Sequence, residues 1–169
     1  MANAPKVLVV FFSRSGTTRL LAEAIARATQ ADLEELRERR SRLGIIGWLR
    51  SGYEGTHQRS AETLPLQHDV SAYDLVFVGS PTWGRSLSSP VRGFLRQNAA
   101  RLGSVALFAT CGVQGAETAL EQMAALLKQP PLASLAMLQS EVERGAAVRV
   151  GELTEAALSA WERKMIATS

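Results

Sequence analysis

Residues 6–12 (KVLVVFF) form, after the leading Lys6, an unbroken apolar run rich in β-branched side chains, and from Thr18 the chain changes to helical spacing. A run this apolar suits a strand covered on both faces, as in a parallel sheet whose crossover helices lie on either side. In the next segment Leu21, Ala24, Ile25 and Ala28 fall on one helical face, with Arg19, Glu23 and Arg27 elsewhere. The alternation continues. Strands are expected over 31–36, 74–79 (DLVFVG) and 104–110 (SVALFAT), with a weaker one over 132–138. Helices are expected behind Ser88-Ser89-Pro90, over 116–128 and over 152–165. Serine before a helix and proline in its first turn are favoured because both suit the unpaired amides there.

Strands alternating with helices imply right-handed βαβ units. The expected fold class is therefore α/β, a three-layer doubly wound sandwich around a five-stranded parallel sheet in the order 2-1-3-4-5. In such a sheet the ligand crevice lies at the carboxyl ends of strands 1 and 3, where the winding reverses. A length of 169 residues fits one domain over 1–169. Residues 37–67 are the one irregular stretch, with a core of Leu43-Gly44-Ile45-Ile46-Gly47-Trp48-Leu49.

Composition narrows the function classes. No apolar stretch approaches the roughly 20 residues that cross a bilayer. The opening Met1-Ala2-Asn3-Ala4-Pro5 lacks the layout of a secretion signal, so a cytoplasmic location is expected. Cys111 is the single cysteine, too few for an internal disulfide framework. The net charge is +3, and Lys6, Lys128 and Lys164 are the only lysines, so arginine carries most of the positive charge. Its densest run, Arg37-Glu38-Arg39-Arg40-Ser41-Arg42, reads either as a solvated mixed-charge face or as a docking patch for an acidic partner. No nucleic-acid motif accompanies it. His57 and His68 lack the spacing of metal ligands or of a catalytic triad, so neither a metal nor a catalytic role is expected for them.

The loop after the first strand, Ser13-Arg14-Ser15-Gly16-Thr17-Thr18, opens directly into a helix. A helix start carries unpaired N–H groups and partial positive charge, glycine allows close approach of an anion, and hydroxyls add donors. Five such residues out of six, the four hydroxyls and the glycine, together describe a phosphate cradle, although a simple helix cap needs only one serine. Neither a Gly-Lys-Ser/Thr ending nor a Gly-x-Gly-x-x-Gly pattern is present, which excludes a Walker loop and a dinucleotide fingerprint.

The pattern Ser13-x-Ser15-Gly16-x-Thr18 resembles the loop with which flavodoxins hold the phosphate of flavin mononucleotide (FMN). By that resemblance the hydroxyls of Ser13, Ser15 and Thr18 and the amides of residues 15–18 contact phosphate, while Arg14 points to solvent or over the ligand. The stretch Gly79-Ser80-Pro81-Thr82-Trp83-Gly84 is similar to the loop after the third strand of that family. The resemblance implies that Trp83 stacks on one face of the isoalloxazine ring, and a core place for this tryptophan fits a Pro-Thr-Trp-Gly turn poorly. It also implies that the peptide at Gly84 flips on one-electron reduction, so that its carbonyl accepts a hydrogen bond from N5. Glycine tolerates the positive φ this needs. The third loop, Thr110-Cys111-Gly112-Val113-Gln114-Gly115, is expected to border the pyrimidine edge through its amides. Cys111 there reads as a packed small residue rather than a redox group.

The sequence departs from flavodoxins in carrying no aromatic residue between Phe108 and Trp161, so the second ring face is open unless Trp48 or Tyr53 covers it. It is also basic where that family is acidic. The expected function is an FMN-binding redox protein transferring electrons through the bound flavin. An NAD(P)H-dependent quinone or flavin reductase and a non-catalytic binding or regulatory module are the alternatives. The partners expected are a redox protein, or NAD(P)H with a quinone-like acceptor. A monomer and a homodimer are both left open.

Overall fold

The computed structural model describes residues 4–38 and 63–169. Strand β1 (Val7–Phe11), helix α1 (Thr17–Thr29) and strand β2 (Asp32–Glu35) come first. Strand β3 (Leu75–Trp83), the two-residue strand β4 (Ser86–Leu87) and helix α2 (Ser89–Asn98) follow. The remainder is β5 (Ser104–Cys111), α3 (Ala116–Leu126), β6 (Ser134–Leu138), α4 (Gln139–Arg144) and α5 (Ala147–Thr168).

The sheet runs β2-β1-β3-β5-β6, with every neighbouring pair on that path parallel. Counted over the parallel strands alone, this is the expected order 2-1-3-4-5. Strand β4 is an addition, pairing antiparallel with the end of β3.

Side chains alternate across a strand, so a sheet covered on both faces needs two cores. Leu8, Val10, Val76 and Val78 point to one side and meet Val91 and Phe94 of α2 and Met123 of α3. Val9, Phe11, Leu75 and Phe77 point to the other and meet Leu21 and Ile25 of α1 with Leu153 and Trp161 of α5. In the middle of the sheet Gly79 stands beside Phe108, and a Cβ at residue 79 would lie 2.0 Å from the Phe108 ring. The absent side chain is what admits the ring.

The structure corrects several expectations. Helix α1 begins at Thr17, and its buried stripe is Leu21, Ala22, Ile25 and Ala26, while Ala28 is exposed. Alanine is small enough for either face, so the alanines gave the stripe no sharp edge. Residues 80–83 belong to β3 rather than to a loop. Pro81 is tolerated there because β1 ends opposite Gly79, leaving no strand on that side to require its missing N–H. Helix α5 starts at residue 147 rather than 152, running through Gly151. Helix α4 was not expected; its first turn is closed by Glu141, whose carboxylate accepts from the Leu138 amide at 2.7 Å. Most of the irregular stretch 37–67, including Trp48, Tyr53 and His57, lies outside the described residues.

Candidate functional site

Three connections meet at the carboxyl ends of the strands: β1 to α1, the β3–β4 hairpin, and β5 to α3. They enclose a cavity of about 140 Å³. Arg14, Ser15, Thr17 and Thr18 line it from the first connection, and Pro81, Thr82 and Trp83 from the second. The third contributes Thr110, Cys111 and Gly112. Gln139, at the start of α4, completes the wall. It went unnoticed in the sequence, although its position one residue beyond the last strand puts it on this same edge.

The first connection is shaped by its own residues. The Ser13 hydroxyl accepts from the amides of Gly16 at 3.1 Å and Arg19 at 3.2 Å, so it folds the loop instead of lining the cavity. Gly16, with φ 102°, is the N-cap residue and offers no side chain to the helix. The amides of Thr17 and Thr18 have no acceptor within the helix, as at any helix start. No acidic residue sits in the first turn to offset the partial positive charge. Arg14 is half-buried and turned along the cavity wall, and Ser15 is exposed beside it.

Hydroxyls tie the connections together. Thr18 Oγ1 and Thr110 Oγ1 lie 2.8 Å apart, and Thr82 Oγ1 donates to the Thr110 carbonyl at 3.0 Å. Ser80 is fully buried behind the cavity, its hydroxyl 2.8 Å from both Ser88 Oγ and the Pro81 carbonyl. The β3–β4 hairpin closes on the pair Trp83 and Ser86, with Gly84 at φ 54° and Arg85 at φ 62° as its two turn residues. Positive φ at both turn residues matches the twist of a two-residue hairpin. Gly115, φ 103°, packs against this turn so closely that a Cβ would lie 2.8 Å from Arg85 Cα. Gln114 is exposed and outside the cavity wall.

Trp83 is a core residue, contrary to the expectation that its turn leaves no core place for it. It is 3% exposed and meets the Phe12 ring edge-on, centroids 5.4 Å apart at 88°. The reason is the extra length of β3, which carries residue 83 inward before the chain turns. The indole still borders the cavity.

Cys111 lies at the end of β5, and burial pushes its thiol above the usual range. The Ala116 amide acts in the opposite sense, and the nearby Glu117 and Glu141 add to the rise. A thiol held protonated is a poor nucleophile. His68 does not line this cavity, and its Nδ1 lies 2.7 Å from the buried Glu34 carboxylate. Among the described residues no three His, Cys, Asp or Glu side chains gather as metal ligands. None of the described helices is long and apolar enough to cross a membrane.

The donor set suits a phosphate monoester: an open helix start, flanking hydroxyls and the Arg14 guanidinium, with no carboxylate on the wall. A volume of about 140 Å³ is smaller than the ~300 Å³ of the smallest drug-sized pockets, so it suits the anionic end of a ligand better than a tricyclic ring.

The sheet order and this cavity at its switch point define a flavodoxin-like α/β protein. The sequence pattern described as flavodoxin matches residues 6–162, and the chain belongs to the flavodoxin family. No curated protein matches it in sequence. Among solved structures it is similar to a flavoprotein from Lactobacillus acidophilus NCFM in complex with FMN, at 23% identity and TM-score 0.68, covering 83% of this chain and 98% of that one. A two-electron reduced flavodoxin from Megasphaera elsdenii shares 20% identity at TM-score 0.58, covering 90% and 98%. The rubredoxin:oxygen oxidoreductase of Desulfovibrio gigas shares 15% identity at TM-score 0.58, covering 95% of this chain and 37% of that one.

Proposed function

We propose that the chain is a single-domain cytoplasmic redox protein that binds FMN and transfers electrons through it. The observation that carries the reading is the convergence of the open start of α1, the Trp83 hairpin and the 110–115 loop on one cavity, in a flavodoxin-family fold. The amides of residues 15–18, the hydroxyls of Ser15, Thr17 and Thr18, and Arg14 would hold the phosphate. The ring would lie toward the mouth, between the hairpin and the 110–115 loop, where the amides of Gly112 and Gln114 reach its pyrimidine edge. Bound FMN supplies one- and two-electron redox chemistry; the protein contributes binding, orientation and the exclusion of water on the Trp83 side.

The test is a titration of the purified apo-protein with FMN, followed by flavin and tryptophan fluorescence. Saturable one-to-one quenching is expected, and riboflavin should bind more weakly because it lacks the phosphate. Absence of saturable FMN binding overturns the reading.

One observation favours a reductase as the second reading. Gly112, Val113 and Gln114 are exposed and non-aromatic, so among the described residues the 110–115 loop offers no stacking partner for the ring face that a nicotinamide or quinone would use. Rapid NADH or NADPH oxidation by the FMN-loaded protein with a quinone selects that reading. Reduction only by a partner protein selects the carrier.

A further inference from the structure

Helix α3 carries a polar side chain to the back of the hairpin. The Gln122 Oε1 atom accepts three hydrogen bonds at once: from Ser86 Oγ at 2.6 Å, the Leu87 amide at 2.9 Å and Arg92 Nη2 at 3.1 Å. Arg92 Nη2 also reaches Ser86 Oγ at 3.2 Å and the Leu87 carbonyl at 3.4 Å. Its side chain is 97% buried, being only 3% exposed, and no described carboxylate pairs with it. A buried guanidinium without a carboxylate is costly, so its retained hydrogen bonds fix its place.

All the groups held belong to β4, the returning strand of the hairpin. Residues 86 and 87 pair with Trp83 and Thr82, both of which line the cavity. A two-residue strand has little ladder of its own to hold it, and the turn before it contains Arg85 in a conformation that disfavours side chains. We propose that Gln122 and Arg92 are positioning residues of the site, a clasp from α3 and α2 that sets the hairpin bearing Thr82, Trp83 and Gly84 against the cavity. As a role in cofactor binding, this rests on the FMN reading above.

The clasp predicts a contrast between two substitutions. Gln122→Leu removes the shared acceptor, leaving the Ser86 hydroxyl and the Leu87 amide without it and Arg92 Nη2 with only its contacts to Ser86 and the Leu87 carbonyl; Gln122→Glu keeps an oxygen at the same reach and gives Arg92 a counter-charge. Amide hydrogen exchange of the apo-protein reads the hairpin without any cofactor: Q122L should speed exchange over residues 82–87 by about tenfold or more, and Q122E should leave it near the wild-type rate. With FMN, Q122L should bind about tenfold more weakly and alter the visible circular dichroism of the bound flavin, both restored by Q122E. Wild-type exchange over the hairpin in Q122L, or equal impairment in both variants, overturns the clasp. Hairpin exchange as predicted in a protein that binds no FMN supports the clasp and refutes the cofactor reading instead. Normal FMN affinity and dichroism in Q122L, despite fast exchange, refutes a role in positioning the flavin.

Discussion

The hydroxyls of Thr18 and Thr110 face each other across 2.8 Å, joining the first turn of α1 to the end of β5. Both residues are buried, and each belongs to a different wall of the cavity. Thr18→Val leaves the Thr110 hydroxyl without this partner and should destabilise the protein by about 1–2 kcal/mol, and Thr110→Val should cost a similar amount. The double variant T18V/T110V should lose less than the sum, because both polar groups go together. Urea unfolding of the four proteins gives the coupling directly; strict additivity contradicts the pairing.

Gly115→Ala tests the packing of the third connection on the hairpin. The new Cβ meets Arg85 Cα at 2.8 Å and Thr82 Cγ2 at 2.9 Å, on a backbone at φ 103°. A loss of roughly 1–3 kcal/mol is expected from the strained backbone alone. FMN affinity should fall as well, since the two connections are forced apart. Thermal unfolding and flavin titration report the two effects separately.

Arg85 occupies a turn position at φ 62° that suits glycine. Arg85→Gly should therefore stabilise the apo-protein by up to about 1 kcal/mol, relieving the left-handed strain. Chemical denaturation in matched buffers measures it, and a destabilised variant would show that the arginine side chain makes up for its backbone.

Tyr73 gives a pH signature. Burial first, then its hydrogen bond to Asp32 at 2.7 Å and the nearby negative charges, push its hydroxyl up to about 12. The folded state thus keeps the neutral form that an unfolded chain surrenders near 10. This contribution to stability is complete below about pH 10 and is lost as pH rises through about 12. Absorbance titration at alkaline pH should show a late tyrosine step coincident with unfolding, and Tyr73→Phe should abolish that step.

Cys111 should react slowly with an aromatic disulfide reagent at neutral pH, because burial holds it protonated. Denaturant should release the reaction at the rate of unfolding. Fast labelling of the folded apo-protein contradicts the geometry described.

The sheet was legible because its evidence is local: residues 7–12 and 105–109 are apolar at every step, as a strand buried on both faces requires. The start of α1 was legible for the same reason, since Ser13 to Thr18 are consecutive. What escaped detection depends on distant partners. β4 has two residues and is defined by its pairing with Thr82 and Trp83, so it has no period to recognise. The burial of Trp83 follows from β3 continuing past Gly79 and from Phe12 meeting the indole, neither of which spacing reveals. Gln139 reaches the cavity wall, and Gln122 meets Arg92 behind the hairpin, only through the crossovers, and a polar residue on a helix looks alike whether it faces water or a buried hairpin.

The vacancy at Gly79, filled by the Phe108 ring, has an evolutionary corollary. Neither position can drift alone: enlarging one collides with its neighbour, and shrinking the other hollows the sheet at its centre. Related chains should therefore exchange these two residues as a matched set, swapping which strand supplies the bulk. Joint replacement at 79 and 108 is the pattern expected among homologous sequences.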